Sequence, residues 1–142
     1  MTNDVVSQQH IVNKFFPEID PGITPFGSRV LVQIRAVKEL SAGGIFLPTT
    51  TTDTERDNTQ VALVRAVGPL SYRNRNTMEL WPEGAWCAVG EFVFVPKYGG
   101  MRFERKVPDG VESYEKTIQF AIVDDLNITG GVDDPFAFKA FV

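Results

Sequence analysis

Side chains that could carry out catalysis are sparse in this sequence. It contains one cysteine, Cys87, and one histidine, His10, so a Ser/His/Asp triad or a histidine-based zinc site would have to be built on His10. Cys87 has no second cysteine and no adjacent histidine, so we predict that it is a buried core side chain. The Gly-rich signatures of nucleotide binding are also absent. We therefore predict a protein without catalytic residues, metal or cofactor.

The segment SAGGIFLPTTTTDTERDN could instead carry out binding. Three large apolar residues, Ile45 to Leu47, lie between a Gly pair and a run of four threonines. The glycines remove backbone restraint and the polar stretch adds nothing to a core, so the segment cannot offset the entropy of its own ordering. At roughly 20 residues, 37–58 is also too long for a neutral connector in a compact domain. We predict that it is mobile in the free protein and binds a partner; the alternative is a short core strand between two turns.

The binding energetics of such a segment favour a ring that carries several copies of it. Full burial of the three side chains in a partner would contribute about 1.5–3 kcal/mol each. Ordering the segment would consume on the order of 2–5 kcal/mol of that gain. One segment would therefore bind weakly, whereas several on one ring would bind a ring of matching sites through effective concentration.

Composition and charge narrow the range of partners. The chain is 43% hydrophobic and 23% charged, an ordinary composition for one globular domain. Its net charge of −4 argues against a nucleic-acid backbone as partner. No apolar run approaches the roughly 18 residues of a membrane span, and the N-terminus lacks a secretory pattern. With a single cysteine, these features predict a cytoplasmic protein without a membrane partner.

The elements that must position the binding segment are short strands. Before the first strand, the apolar spacing of residues 5–19 predicts a short amphipathic helix that ends at Pro17 and packs on its own domain. Between the second and third strands, YRNRNTMELWPEG predicts a hairpin or loop with two turns. Several short strands without a central helix predict an all-β fold, a small antiparallel barrel. The predicted strands are, in order, SRVLVQIRAV, TQVALVRAVG, EFVFVPKYGG, MRFERKV and YEKTIQFAIVDDLNI.

Aromatic residues crowd the C-terminus, an end that would normally fray. They are Phe136, Phe138 and Phe141. Either these side chains dock on the chain's own barrel, or they contact a neighbouring subunit. We treat them as candidate subunit contacts.

Four motifs in order resemble the co-chaperonins of the GroES type. ITPFGSRVLVQI resembles the family's first strand, SAGGIFLP its mobile loop, TQVALVRAVGP its return strand and AVGEFVFVPKYGG its Val-Gly-Asp-x-Val-x-Phe-x-x-Tyr-Gly-Gly segment. Each motif is weak alone, but four at compatible spacing are fairly specific. The resemblance covers residues 23–128, taken as a barrel domain with a mobile loop at 37–58 and a roof-type loop at 71–82. Residues 1–22 and 129–142 are then N-terminal and C-terminal extensions.

The resemblance implies a homoheptameric ring that caps a GroEL-type double-ring chaperonin. Such a lid encloses unfolded substrate protein while the partner, which binds the ATP or ADP, completes its cycle. By matched position, the chaperonin-binding residues are Gly43, Gly44, Ile45, Phe46, Leu47 and Pro48. Tyr98 matches a tyrosine that faces the folding cavity, and the roof loop corresponds to Tyr72, Arg73, Asn74 and Arg75.

The sequence departs from the family pattern in several places. Phe46 stands where a smaller valine is commoner, Gly90-Glu91 replaces Gly-Asp, and the roof is basic at Arg73 and Arg75. PEGAWCAVGE is similar to the corresponding segment of virus-encoded co-chaperonins, which assist the folding of a capsid protein. The resemblance thus implies a bacteriophage member that acts in the host bacterial cytoplasm.

Two other functions fit parts of the sequence. A small barrel could bind single-stranded nucleic acid or sugar through a stacking face. The acidic balance, and the expected use of these aromatic side chains in the core, argue against it. A virion structural or assembly protein would also use flexible ends and a loop to contact other subunits. The residues of the stacking face would be Phe92, Phe94, Tyr98 and Phe103.

Overall fold

The computed structural model describes residues 12–36, 61–96 and 100–135. Residues 12–15 are helical, and the helix ends before Pro17 as predicted. The predicted sites at residues 43–48, Tyr98, Phe136, Phe138 and Phe141 lie outside the described residues and remain predictions. The strands are β1 (Arg29–Ile34), β2 (Val61–Val67), β3 (Phe92–Phe94), β4 (Met101–Lys106), β5 (Thr117–Asp124) and β6 (Gly130–Val132), with a 3-10 helix (Asp125–Asn127) before β6.

The six strands form one antiparallel sheet in the order β4-β5-β1-β2-β3-β6. The central strand is β1, where Val30 lies opposite Val123 of β5 and opposite Val67 of β2. The β1–β2 register shifts between Leu31 and Val32, an irregularity of the kind that increases local strand twist. The all-β prediction is confirmed.

One face of the sheet carries the main core. Its apolar side chains come from β1, β2, β3 and β5, and the connection between β2 and β3 folds back to add Tyr72 and Cys87. Cys87 is 4% exposed, which confirms its predicted burial, and that burial raises the pKa of its thiol. The main core therefore depends on this long connection as well as on the strands.

The opposite face of the sheet is buried at β1 as well. Leu31 and Gln33, which alternate along β1 with Val30, Val32 and Ile34 of the main core, are 1% and 0% exposed. The chain before β1 covers them: Phe15 and Ile19 join a cluster with Leu31, and Phe16 packs against β2. The predicted docking of the N-terminal helix on its own domain is thus confirmed for its described residues.

Candidate functional site

The predicted binding segment connects β1 and β2, the two strands at the middle of the sheet. β1 ends at Ile34, β2 begins at Val61, and Ile34 lies opposite Ala62 in their antiparallel pairing. Beyond the last pair, the backbone N–H of Arg35 donates to the carbonyl of Val61 at 3.1 Å. The ends of β1 and β2 that flank residues 37–60, which include the predicted segment 37–58, therefore lie side by side, as the predicted order of strand, loop and return strand requires.

Both ends of the described chain reach the point where this segment begins. The backbone N–H of Ala36 donates to the carbonyl of Phe15 at 3.0 Å. The guanidinium of Arg35, a residue only 8% exposed, donates from Nη1 to the carbonyl of Pro135 at 2.5 Å. We call Phe15, Arg35, Ala36, Val61 and Pro135 the root of the segment. Sequence reasoning did not predict this cluster.

A polar network fixes the N-terminal residues beside the root. Gln33, completely buried in β1, donates from Nε2 to the carbonyl of Pro17 at 3.1 Å. Arg65 of β2 donates to Oε1 of Gln33 at 2.7 Å and to the same Pro17 carbonyl at 3.1 Å. It also forms an ion pair with Glu18 at 3.1 Å. A glutamine within the apolar run VLVQI was the one sequence signal that could have indicated such a network.

The predicted roof loop is a hairpin. Arg73 forms an antiparallel bridge with Leu80, and the backbone N–H of Asn74 donates to the carbonyl of Glu79 at 2.8 Å. The side chain of Asn74 caps the turn, where its Oδ1 accepts from the backbone N–H groups of Asn76 and Thr77. Of the two exposed arginines, Arg73 donates to the carbonyl of Met78 and Arg75 to Oγ of Ser28.

Tyr72 lies in the core and not on the exposed surface of this hairpin. It is 0% exposed, and its ring packs against Trp81 and Trp86 at centroid distances of 5.5 and 5.4 Å. Its φ of 60° turns the side chain inward, and Asp125 holds it there. The carboxylate of Asp125 accepts from the Tyr72 backbone N–H at 2.9 Å, and the Asp125 carbonyl accepts from the Tyr72 hydroxyl at 3.0 Å. Burial is the largest cause that raises the pKa of the Tyr72 phenol.

Replacing Asp125 with alanine is expected to lower the free energy of unfolding by about 1–3 kcal/mol, because the buried backbone N–H of Tyr72 loses its acceptor. Urea denaturation followed by tryptophan fluorescence measures the change. The matched control is Asp124→Ala, since the side chain of Asp124 is 63% exposed and only approaches Arg29 at 3.9 Å. Equal losses for the two variants would contradict the assigned role of Asp125.

The described residues contain no group of three or more His, Cys, Asp or Glu residues that could hold a metal. Nor does any helix among them have the length and apolar character needed to cross a membrane. Two of the rings proposed for nucleic-acid stacking are used in packing: Phe92 lies 5.2 Å from Phe16, and Phe103 stacks on Phe120 at 5.7 Å.

Comparison with known proteins shows which part of the chain is shared. Residues 22–116 match the family model Cpn10, described as the chaperonin 10 Kd subunit. The co-chaperonin GroES of Methylacidiphilum infernorum (isolate V4) is 37% identical over 82 residues, which is 58% of this chain and 75% of the relative. The family match includes segment 37–60 and the hairpin at Arg73, whereas Phe15 and Pro135 lie outside it.

Proposed function

We propose that this chain acts as a co-chaperonin for a GroEL-type double-ring chaperonin. The chain belongs to the Cpn10 family of chaperonin 10 Kd subunits. The observation that carries this proposal is the pairing of β1 with β2, the two strands that flank segment 37–60, inside the region that matches the family. The contacts proposed for the chaperonin are Gly43, Gly44, Ile45, Phe46, Leu47 and Pro48. They would enter an apolar groove as an extended peptide does.

The lid is proposed to be a ring of identical subunits, a heptamer by resemblance. Support comes from large apolar side chains left exposed on the described chain. Phe26 and Met101 are 76% and 64% exposed and line one groove with Ile122 and Pro25. Neighbouring subunits would cover this groove, and Phe136, Phe138 and Phe141 are proposed to add contacts there or at another subunit boundary.

The chamber under the lid would hold unfolded substrate protein. Tyr98 is proposed to face this cavity, and the exposed residues Arg73, Asn74 and Arg75 to form its roof. The lid itself would need no nucleotide, since the ATP or ADP is bound by the chaperonin. The similarity of PEGAWCAVGE to virus-encoded co-chaperonins supports a bacteriophage protein that assists folding of a capsid protein in the host cytoplasm.

The experiment is size-exclusion chromatography of the purified protein with a bacterial double-ring chaperonin. We expect co-elution in the presence of ATP or ADP and separate elution without nucleotide. The native mass of the protein alone establishes in parallel whether it is a ring. A folded ring that fails to co-elute with several chaperonins would contradict the proposal and favour a structural role in virion assembly, which association with virus particles would then show.

A further inference from the structure

The root of segment 37–60 brings together two parts of the chain that lie outside the family match. Phe15 precedes residues 22–116 and Pro135 follows them, yet their carbonyls bond to consecutive residues, Ala36 and Arg35. A third bond joins Arg35 to Val61 on the far side of the segment. The last residues before the proposed chaperonin-binding segment are thus held by both extensions and by the returning strand.

The N-terminal residues next to the root are packed against the rest of the protein. Phe16, next to Phe15, is 2% exposed and packs with Val61 and Leu63 of β2. The carbonyl of Lys14 accepts from the backbone N–H of Tyr114 at 3.0 Å, which ties the same short stretch to the connection between β4 and β5. The N-terminal contact to Ala36 is therefore part of the packed body of the protein.

The bond on the C-terminal side has a different physical basis. A guanidinium is costly to bury without hydrogen-bond acceptors, so the 8% exposure of Arg35 makes the Pro135 carbonyl an important partner. The contact spans 100 residues of sequence. Pro135 of the C-terminal extension consequently lies beside the last described residues before segment 37–60.

We infer that the two extensions brace the root and so raise the affinity of segment 37–60 for its chaperonin, an inference that rests on the proposed function. A braced root leaves fewer residues to be fixed when the segment binds. Each backbone residue that must be fixed again lowers affinity by about tenfold. In a ring the loss recurs in every subunit, because all the segments bind together. Arg35 is in this sense a positioning residue that acts through the segment.

The test compares Arg35→Met with the wild-type chain. Methionine retains an unbranched apolar stem and removes the donor to Pro135. We expect the affinity for the chaperonin, titrated in the presence of ADP, to fall by about tenfold or more. Hydrogen exchange at the Ala36 amide should accelerate in the free variant, because the bond to Phe15 then opens more often.

Two control variants separate positioning from general stability. Val123→Ala weakens the main core, where Val123 is 1% exposed, without touching the root. Arg105→Met repeats the chemical change at an exposed position of β4. Both should bind the chaperonin as the wild type does at a temperature where every variant is folded. Where Arg35→Met does not fold, a chain that ends at Asp134 removes the acceptor instead. Because that chain also lacks Phe136, Phe138 and Phe141, it replaces Arg35→Met in the titration only at the native mass of the wild-type protein.

The outcomes are distinct. Weaker binding by Arg35→Met, or by a chain ending at Asp134 that keeps the wild-type native mass, supports the brace when both controls bind as the wild type does. Wild-type affinity in the root variant, or an equal loss in Val123→Ala, overturns it and leaves the proposed function standing. A wild-type chain that binds no chaperonin refutes the proposed function, and the brace falls with it.

Discussion

Changing Phe46 to aspartate is expected to abolish nucleotide-dependent co-elution with the chaperonin while the protein keeps its native mass and far-UV circular dichroism. Phe46 is the largest residue of the proposed apolar anchor, and its burial in a partner would contribute about 1.5–3 kcal/mol per subunit. An aspartate at the same position loses that contribution and carries a charge into an apolar groove, which is unfavourable without a partner. Because every subunit of a ring carries the change, the losses multiply.

Two substitutions in the same segment serve as controls for this result. Thr51→Asp introduces the same charge outside the apolar triplet and should leave co-elution intact. Phe46→Val installs the smaller residue that is commoner in the family and should retain binding. Loss of native mass or of folded structure in Phe46→Asp would show that Phe46 belongs to the core. It would then favour the alternative of a short core strand over a chaperonin-binding anchor.

The strands could be predicted because their signal is local. Alternation together with β-branched and aromatic residues indicated β1, β2, β3, β4 and β5, and turn residues separated them. β6 escaped prediction because Gly130 and Gly131 have low β propensity. Its strand conformation comes from pairing with β3, where Gly130 lies opposite Phe94 and Thr129 donates to the Phe94 carbonyl at 3.1 Å.

The environment of a side chain was harder to predict than its secondary structure. Leu31 and Gln33 of β1 are buried because residues before the strand fold across them, and period-two alternation contains no information about such a cover. Tyr72 was assigned to the roof because its position matches the roof hairpin of the family. A single positive φ, stabilised by Asp125 53 residues away, sends its side chain to the core instead.

The candidate site also has one part that the sequence indicates and one part that it does not. The apolar triplet is visible in the sequence because it lies among glycines and threonines, and the family match includes it. The root is not visible, because its bonds join Arg35 to Pro135 and Ala36 to Phe15 across long stretches of chain. Backbone carbonyls accept these bonds, so no residue type indicates the partner in advance.

Replacing Gly100 with alanine is the second change expected to have a large effect, this time on folding. Gly100 closes the Tyr-Gly-Gly motif, adopts a φ of 74° and directly precedes β4. An added Cβ would lie 2.3 Å from the carbonyl oxygen of Ile122 and 2.6 Å from Cγ1 of Val123. The pairing of Met101 with Ile122 prevents the two strands from separating to make room. We expect the free energy of unfolding to fall by about 3–5 kcal/mol, as measured by urea denaturation.

The control variant Gly110→Ala separates backbone strain from the steric clash expected at Gly100. Gly110 has a comparable φ of 88°, but its added Cβ would meet no atom within 4 Å. That variant therefore carries only the strain of a left-handed backbone, about 1–2 kcal/mol. The difference between the two variants measures the close approach of Gly100 to β5. If they lose the same stability, backbone conformation alone explains the glycine; if Gly100→Ala loses more, this glycine of the motif is required for the contact between β4 and β5.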